Sequence, residues 1–86
     1  MSIQESFEAA FARSKNLSTK PSNDHLLKMY AYYKQATVGD VNTERPGGFD
    51  FVAAAKHNAW EGLKGMDKQE AMQAYIDLVQ TLEAGQ

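Results

Sequence analysis

The sequence predicts an all-α domain of four helices, and three observations carry that prediction. Apolar residues recur at three- and four-residue spacing in four separate segments, which puts them on one face of a helix in each. Each segment opens at a Ser, Asn or Asp able to cap it. No segment shows the strict apolar–polar alternation of a half-buried strand.

The first helix is predicted from about Ser2 to Ser14. Ser2-x-x-Glu5 fits a capping box, in which hydroxyl and carboxylate satisfy two free amide donors. Ile3, Phe7, Ala10, Phe11 and Ser14 then follow at helical spacing. Residues 17–21 connect, because Pro21 steers Lys20 away from helical angles. The second helix starts at Ser22 or Asn23 and runs to about Val38, with Leu26, Leu27, Tyr30, Tyr33 and Thr37 along one broad face. Gly39 suits the left-handed position past its end.

Residues 39–48 form a loop of Gly, Pro, Asn and Asp without periodicity. Ten residues is long for a helix connection, where about two to eight is usual, and long loops often cover or shape a site. The third helix is predicted from Asp50 to Lys64, closed by Gly65, with Phe51, Val52, Ala55, Ala59, Trp60 and Leu63 as its apolar stripe. The fourth opens at Asp67, where Asp67-x-x-Glu70 resembles a second capping box, and Gly85 ends it. Its Met72, Tyr75, Val79 and Leu82 form an a/d seam.

Eighty-six residues make one domain, residues 1–86. A chain of this size buries only about 60–65% of its unfolded surface, which leaves little room for a large enclosed site. Nine Lys+Arg against eleven Asp+Glu give a net charge of -2, and a general nucleic-acid binder carries a basic excess instead. The absence of cysteine excludes disulfides, zinc-thiolate sites and cysteine nucleophiles. The N-terminal stretch has no basic region followed by an apolar run, and no apolar run approaches the ~18 residues of a membrane span. A cytoplasmic monomer without stable membrane insertion is expected.

Catalytic templates fail. No nucleophile elbow presents a serine, and neither His25 nor His57 has a partner at metal-ligand spacing. His25 is expected in an exposed first helical turn and His57 on a helix flank. One constellation stands apart: Tyr30, Tyr33 and Lys34, at i, i+3 and i+4, lie on adjoining faces of one helical turn, with Met29 and Tyr32 beside them. A buried tyrosine hydroxyl needs a partner, so this face is expected to reach solvent or a ligand. An aromatic face beside a lysine suits a ring-bearing phosphorylated ligand, although two packed tyrosines and a solvated Lys34 fit the pattern as well. Lys56 is a second candidate cation, and Tyr75 a core aromatic with its hydroxyl near a rim.

The run YYKQATVGDVNTERPG, Tyr32 to Gly47, resembles the signature of the acyl-CoA-binding protein family. The likeness extends upstream through Phe7, Lys15-x-Leu17, Thr19-Lys20-Pro21 and Leu27-x-x-Tyr30. Downstream it takes in Asp50-Phe51, Ala55-Lys56, Ala59-Trp60, Leu63-Lys64-Gly65 and residues 70–76. It implies an up-down-down-up four-helix bundle that binds one long-chain acyl-CoA, without cofactor, metal or catalysis, as an intracellular carrier and pool former. It further implies transient contacts with acyl-CoA-using enzymes. In that reading Tyr33 stacks on adenine, while Tyr30, Lys34 and Lys56 hold the ribose 3′-phosphate region. Lys15 contacts nucleotide or phosphates, Tyr75 faces the pantetheine or acyl part, and Phe7, Ala10 and Leu27 line the acyl groove. The sequence departs from the family pattern at His57, where an aromatic residue is common, and at Val52 and Ala54, in a region often more basic. A helical protein-interaction module and a small acyl-CoA hydrolase are the rival classes. Incubation with palmitoyl-CoA separates them, as no binding or as release of free thiol.

Overall fold

Side-chain caps start every helix in the computed structural model, which describes residues 2–85; Met1 and Gln86, at the ends of the expected domain, lie outside the described residues. Helix α1 is Ile3–Ser14, α2 Asn23–Thr37, α3 Phe51–Glu61 and α4 Lys68–Ala84. Ser2 and Glu5 close the expected capping box around the first turn of α1. Ser22 caps α2 by accepting from the His25 amide, and Asp50 caps α3 by accepting from the Ala53 amide. Asp67 caps α4 through the Gln69 amide; the second capping box, expected with Glu70, is not formed.

Contacts at the helix ends fix the topology. Arg13, near the end of α1, pairs with Glu83, near the end of α4, at 3.1 Å, so these helices run parallel. Gln35, near the end of α2, donates to the Met66 carbonyl ahead of α4, while His25, near the start of α2, shares a cleft with Thr81 and Leu82. Helices α2 and α4 are therefore antiparallel. The starts of α2 and α3 line one groove, and Trp60, near the end of α3, donates to the Gly39 carbonyl just past α2. These two helices are parallel, and the order is up-down-down-up.

That topology explains the long connection. After a parallel pair's first helix the chain must travel back along it, here about 22 Å for fifteen residues at ~1.5 Å each. The segment between Thr37 and Phe51 makes this return trip. Its length answers to connectivity first.

The core cluster comprises Phe7 and Ala10 of α1, Ala36 of α2, and Ala71, Met72, Tyr75, Ile76 and Val79 of α4. The α4 seam is wider than expected: Ala71 and Ile76 join it, while Leu82 is only half-buried. On α2 the buried residues are Ala31, Gln35 and Ala36, not the broad face of Leu26, Leu27, Tyr30, Tyr33 and Thr37. Small side chains let α2 approach the neighbours it packs against, α3 and α4, and its large residues are left at the flanks.

Helix α3 departs furthest from expectation. It ends at Glu61 rather than Lys64, because Gly62 and Gly65 weaken the helical ladder. The chain continues in tighter turns, with amides of Leu63, Lys64 and Met66 each bonded three residues back. Gly65, at φ +94°, occupies the left-handed conformation that completes the turn. The buried face of α3 is His57 and Trp60, whereas Phe51 and Val52 are exposed. His57 is thus buried rather than on a flank, and His25 is half-buried in the first turn of α2 with Nδ1 3.1 Å from the Ser22 hydroxyl.

Candidate functional site

The loop after α2 is held to α3 by three side chains. Trp60 Nε1 donates to the Gly39 carbonyl at 2.8 Å. His57 Nε2 lies 2.9 Å from the Thr43 carbonyl, which can only accept, so Nε2 carries the proton. Arg45 donates twice to the Asn58 side-chain oxygen, at 3.0 and 2.6 Å. Gln35, fully buried, adds a fourth tie: Nε2 donates both to the Asp40 carboxylate and to the Met66 carbonyl. Asp40 also accepts from the Gly65 amide at 2.8 Å. The Gly65 amide, and then the Gln35 amide, hold the Asp40 carboxyl below the usual carboxylate range. Much of the Gly/Pro/Asn-rich signature is therefore scaffold, a function the sequence reading did not assign to it.

This scaffold places a line of aromatic rings and lysines along α2. Lys34 Nζ lies 4.9 Å from the centre of the Trp60 ring, and Lys56 Nζ 5.4 Å from that of Tyr30. On the other flank Tyr33 stacks on Phe11 at 4.8 Å, and Lys15 Nζ caps the Phe11 ring at 4.5 Å. Each cation–π contact contributes about 0.5–1 kcal/mol at an exposed site. None of the three lysines is paired with a carboxylate among the described residues, so their charge is open to an anion. The fold thus brings Lys15, at the C-terminal cap of α1, to the same side as Tyr30, Tyr33 and Lys34 of α2 and Lys56 of α3. Trp60 and Phe11 were missed as their supports. Lys34 and Trp60 stand far apart in sequence, so no local spacing could have paired them.

Tyr75 is buried against Phe7 at 5.2 Å and Tyr33 at 6.2 Å. Its hydroxyl donates to Ser14 Oγ at 3.2 Å, and burial pushes its pKa up. It meets the expectation of a core aromatic, and contacts the site through the ring of Tyr33. Phe7 and Ala10, expected to line an acyl groove, are closed over in the core and show no open surface. Phe7 instead supports Tyr33 from beneath, at 5.7 Å.

Leu27 lines an apolar groove of about 380 Å³ between the starts of α2 and α3. Its other walls are Asn23, Leu26, Phe51, Val52, Ala55 and the stem of Lys56. The structure therefore separates Leu27 from Phe7 and Ala10. Phe51, Val52 and Ala55 could have been assigned to the groove from their excess: they widen the α3 stripe beyond what one neighbouring helix can cover. Val52, one departure from the family pattern, extends the apolar wall, and His57, another, secures the loop.

A second cleft, about 550 Å³, lies between α1 and α4. Its lining includes Ser6, Arg13, Gln73 and Gln80 but no aromatic residue, so it offers a base no stacking surface. Among the described residues no three His, Cys, Asp or Glu cluster as a metal site requires, and no helix is long and apolar enough to cross a membrane. The Cα atoms span 39 × 27 × 15 Å. The shortest, 15 Å, is that of two packed helix layers with axes ~8–10 Å apart, so a large ligand must lie on the surface.

A family model described as Acyl CoA binding protein matches residues 4–79. Acyl-CoA-binding protein homolog 1 of Caenorhabditis elegans is 52% identical over 79 residues, covering 92% of each chain. The crystal structure of Acyl-CoA-Binding Protein 2 from Oryza sativa superposes with a TM-score of 0.93 at 42% identity, covering 98% of this chain and 93% of that one. The crystal structure of ACBP from Moniliophthora perniciosa superposes with a TM-score of 0.88 at 40% identity, covering 95% of this chain and 80% of that one.

Proposed function

The chain belongs to the acyl-CoA-binding protein family, and from that premise we propose that it carries one long-chain acyl-CoA per molecule. The observation that carries the reading is the juxtaposition of three lysines, unpaired with any carboxylate among the described residues, and an aromatic flank with an apolar groove. A CoA thioester has the complementary parts: a base to stack, phosphates to pair, and a tail to shelter.

Tyr33 is the platform for adenine, its ring held from behind by Phe11 and Phe7. Lys34 and Lys56, with Tyr30 between α2 and α3, hold the ribose 3′-phosphate, and Lys15 reaches the phosphates from the end of α1. Each lysine leaves an aromatic face for a charge-assisted bond to a phosphate oxygen, which contributes about 1.5–3 kcal/mol. The tail follows the groove of Leu26, Leu27, Phe51, Val52 and Ala55. Tyr75, behind Tyr33, fixes the platform together with Phe7, which touches both rings.

Energies favour division of labour. A palmitoyl chain offers roughly 10 kcal/mol gross at about 0.8 kcal/mol per methylene. Association costs of ~4–15 kcal/mol offset much of that, so the polar head must contribute. The role is that of a monomeric cytoplasmic carrier and pool former that needs no cofactor, does no chemistry and meets acyl-CoA-using enzymes transiently.

Calorimetric titration tests the reading. Palmitoyl-CoA is expected to bind tightly at one site, CoA more weakly and palmitate hardly at all. Equal affinity for palmitate and palmitoyl-CoA would sink the head-group assignment, and release of free thiol would make the protein a hydrolase.

A further inference from the structure

The entrance to the groove carries more apolar surface than the groove uses. Phe49 is 91% exposed, Phe51 77% and Val52 66%, all at the turn where the loop enters α3. Of the other two phenylalanines, Phe7 is in the core and Phe11 is partly buried against it. Phe49 is not among the groove walls, so a tail lying in the groove leaves it uncovered. Between the two rings, Asp50 turns its carboxylate back onto the Ala53 amide at 2.9 Å and is engaged as a cap.

We propose that this patch, led by Phe49, docks the protein on the surface of a lipid bilayer, so that an acyl chain passes directly between membrane and groove. The proposal rests on the acyl-CoA reading for the cargo, though docking itself does not require it. The patch is continuous with the apolar groove through Phe51 and Val52, which places the lipid interface where the tail must leave. Size argues against a second copy as occupant. Two mostly exposed Phe rings, each of about 150–250 Å² in full, plus Val52 and part of Leu26, give a few hundred Å². A stable protein interface needs about 800 Å² on each partner. Shallow insertion of aromatic side chains into the headgroup boundary has no such minimum. With a net charge of -2 the attraction is apolar, so a zwitterionic bilayer suffices and added salt does not weaken the contact.

The experiment uses phosphatidylcholine vesicles, with and without palmitoyl-CoA. Stopped-flow loading of the protein from palmitoyl-CoA vesicles is expected to speed up in proportion to vesicle concentration, the mark of collision. Phe49→Ser should slow that step by about tenfold, the change that accompanies lost burial of one aromatic ring. Its calorimetric affinity for palmitoyl-CoA in solution should match the parent's. Phe49→Trp should restore the rate, and its emission should shift to the blue on plain vesicles at low and high salt. A loading rate independent of vesicle concentration overturns the proposal, as does an unchanged rate in Phe49→Ser. Concentration-dependent dimerisation that Phe49→Ser abolishes would assign the patch to a second copy and also overturns it. If palmitoyl-CoA fails to bind in solution, the carrier reading falls, and the plain-vesicle emission still decides docking.

Discussion

Lys34 and Lys56 sit over aromatic rings while carrying charges that no carboxylate of the described residues answers. Exposed cation–π contacts are weak, so these lysines can exchange a ring face for a phosphate at small cost. Lys34→Ala and Lys56→Ala should each weaken palmitoyl-CoA binding by about 1.5–3 kcal/mol, read by calorimetry. With acyl-dephospho-CoA, which lacks the 3′-phosphate, both losses should shrink. Equal losses with the two ligands would mean that these side chains do not read that phosphate. Tyr33 serves two purposes, since it stacks on Phe7 and Phe11 and is still half-exposed. Tyr33→Phe keeps the ring and should bind and fold nearly as the parent does. Tyr33→Ala should lose about 1–3 kcal/mol of affinity as a lost stacking surface. It should also lose stability in urea, by less than the ~3–5 kcal/mol of a fully buried ring. Normal affinity in Tyr33→Ala would leave adenine to be held elsewhere. The cluster of Tyr30, Tyr33 and Lys34 was readable from i, i+3, i+4 spacing because all three share one helical turn. Their partners Trp60 and Phe11 were not, because only the tertiary fold brings them together.

At the scale of elements, starts were more readable than ends or faces. Ser2, Asp50 and Asp67 cap the helices they were expected to cap, because capping depends on the few amides next to the side chain. The end of α3 was misplaced because Gly62 and Gly65 both offered a stop, and the nearer one ended the helix. The broad face of α2 and the apolar stripe of α3 are not all core: Leu26 and Leu27 of the one and Phe51, Val52 and Ala55 of the other line the groove. Periodicity reports that a face is apolar, and it does not say whether a helix or a ligand covers it. The loop between these helices depends on Asp40, whose carboxyl is held below the ordinary range by the Gly65 amide and then by Gln35. A depressed folded-state pKa contributes stability that is fully present above the unfolded value, about 3.9 for Asp, and is lost as pH falls through the folded value beneath it. Asp40→Asn should therefore be less stable than the parent at neutral pH, and the gap should close as pH falls below about 3.9. Glu5, also lowered by its Ser2 bonds, titrates in both proteins and cancels from the comparison. Urea unfolding of the pair across this range measures the gap, and a gap that stays constant would show that the carboxylate charge contributes nothing.

At the scale of the molecule, α3 is the least anchored helix. The core cluster draws its buried members from α1, α2 and α4, and α3 packs on α2 alone. It is held by Trp60, His57 and the loop bonds around them. A ligand gripped by Lys15 at the end of α1, Tyr33 and Lys34 of α2, and Lys56 of α3 would tie this helix to the rest. Without ligand, the amides of α3 should exchange with solvent faster than those of α4, through an opening that costs less than global unfolding. Palmitoyl-CoA at a hundredfold excess over its dissociation constant should raise global stability by about 2.7 kcal/mol. For a domain of this size that corresponds to roughly 10–20 °C in Tm. The protection gained should be greatest in α3, so that the difference between α3 and α4 narrows. CoA, which lacks the tail, should give the same pattern at a smaller amplitude when both are present at equal concentration, and palmitate should give none. Hydrogen exchange followed by mass spectrometry separates the helices in one experiment. If α3 is already as slow as α4 without ligand, the weak-anchor reading is wrong. If palmitoyl-CoA protects α1 and α4 but leaves α3 unchanged, Lys56 and the groove beside it are not part of the site.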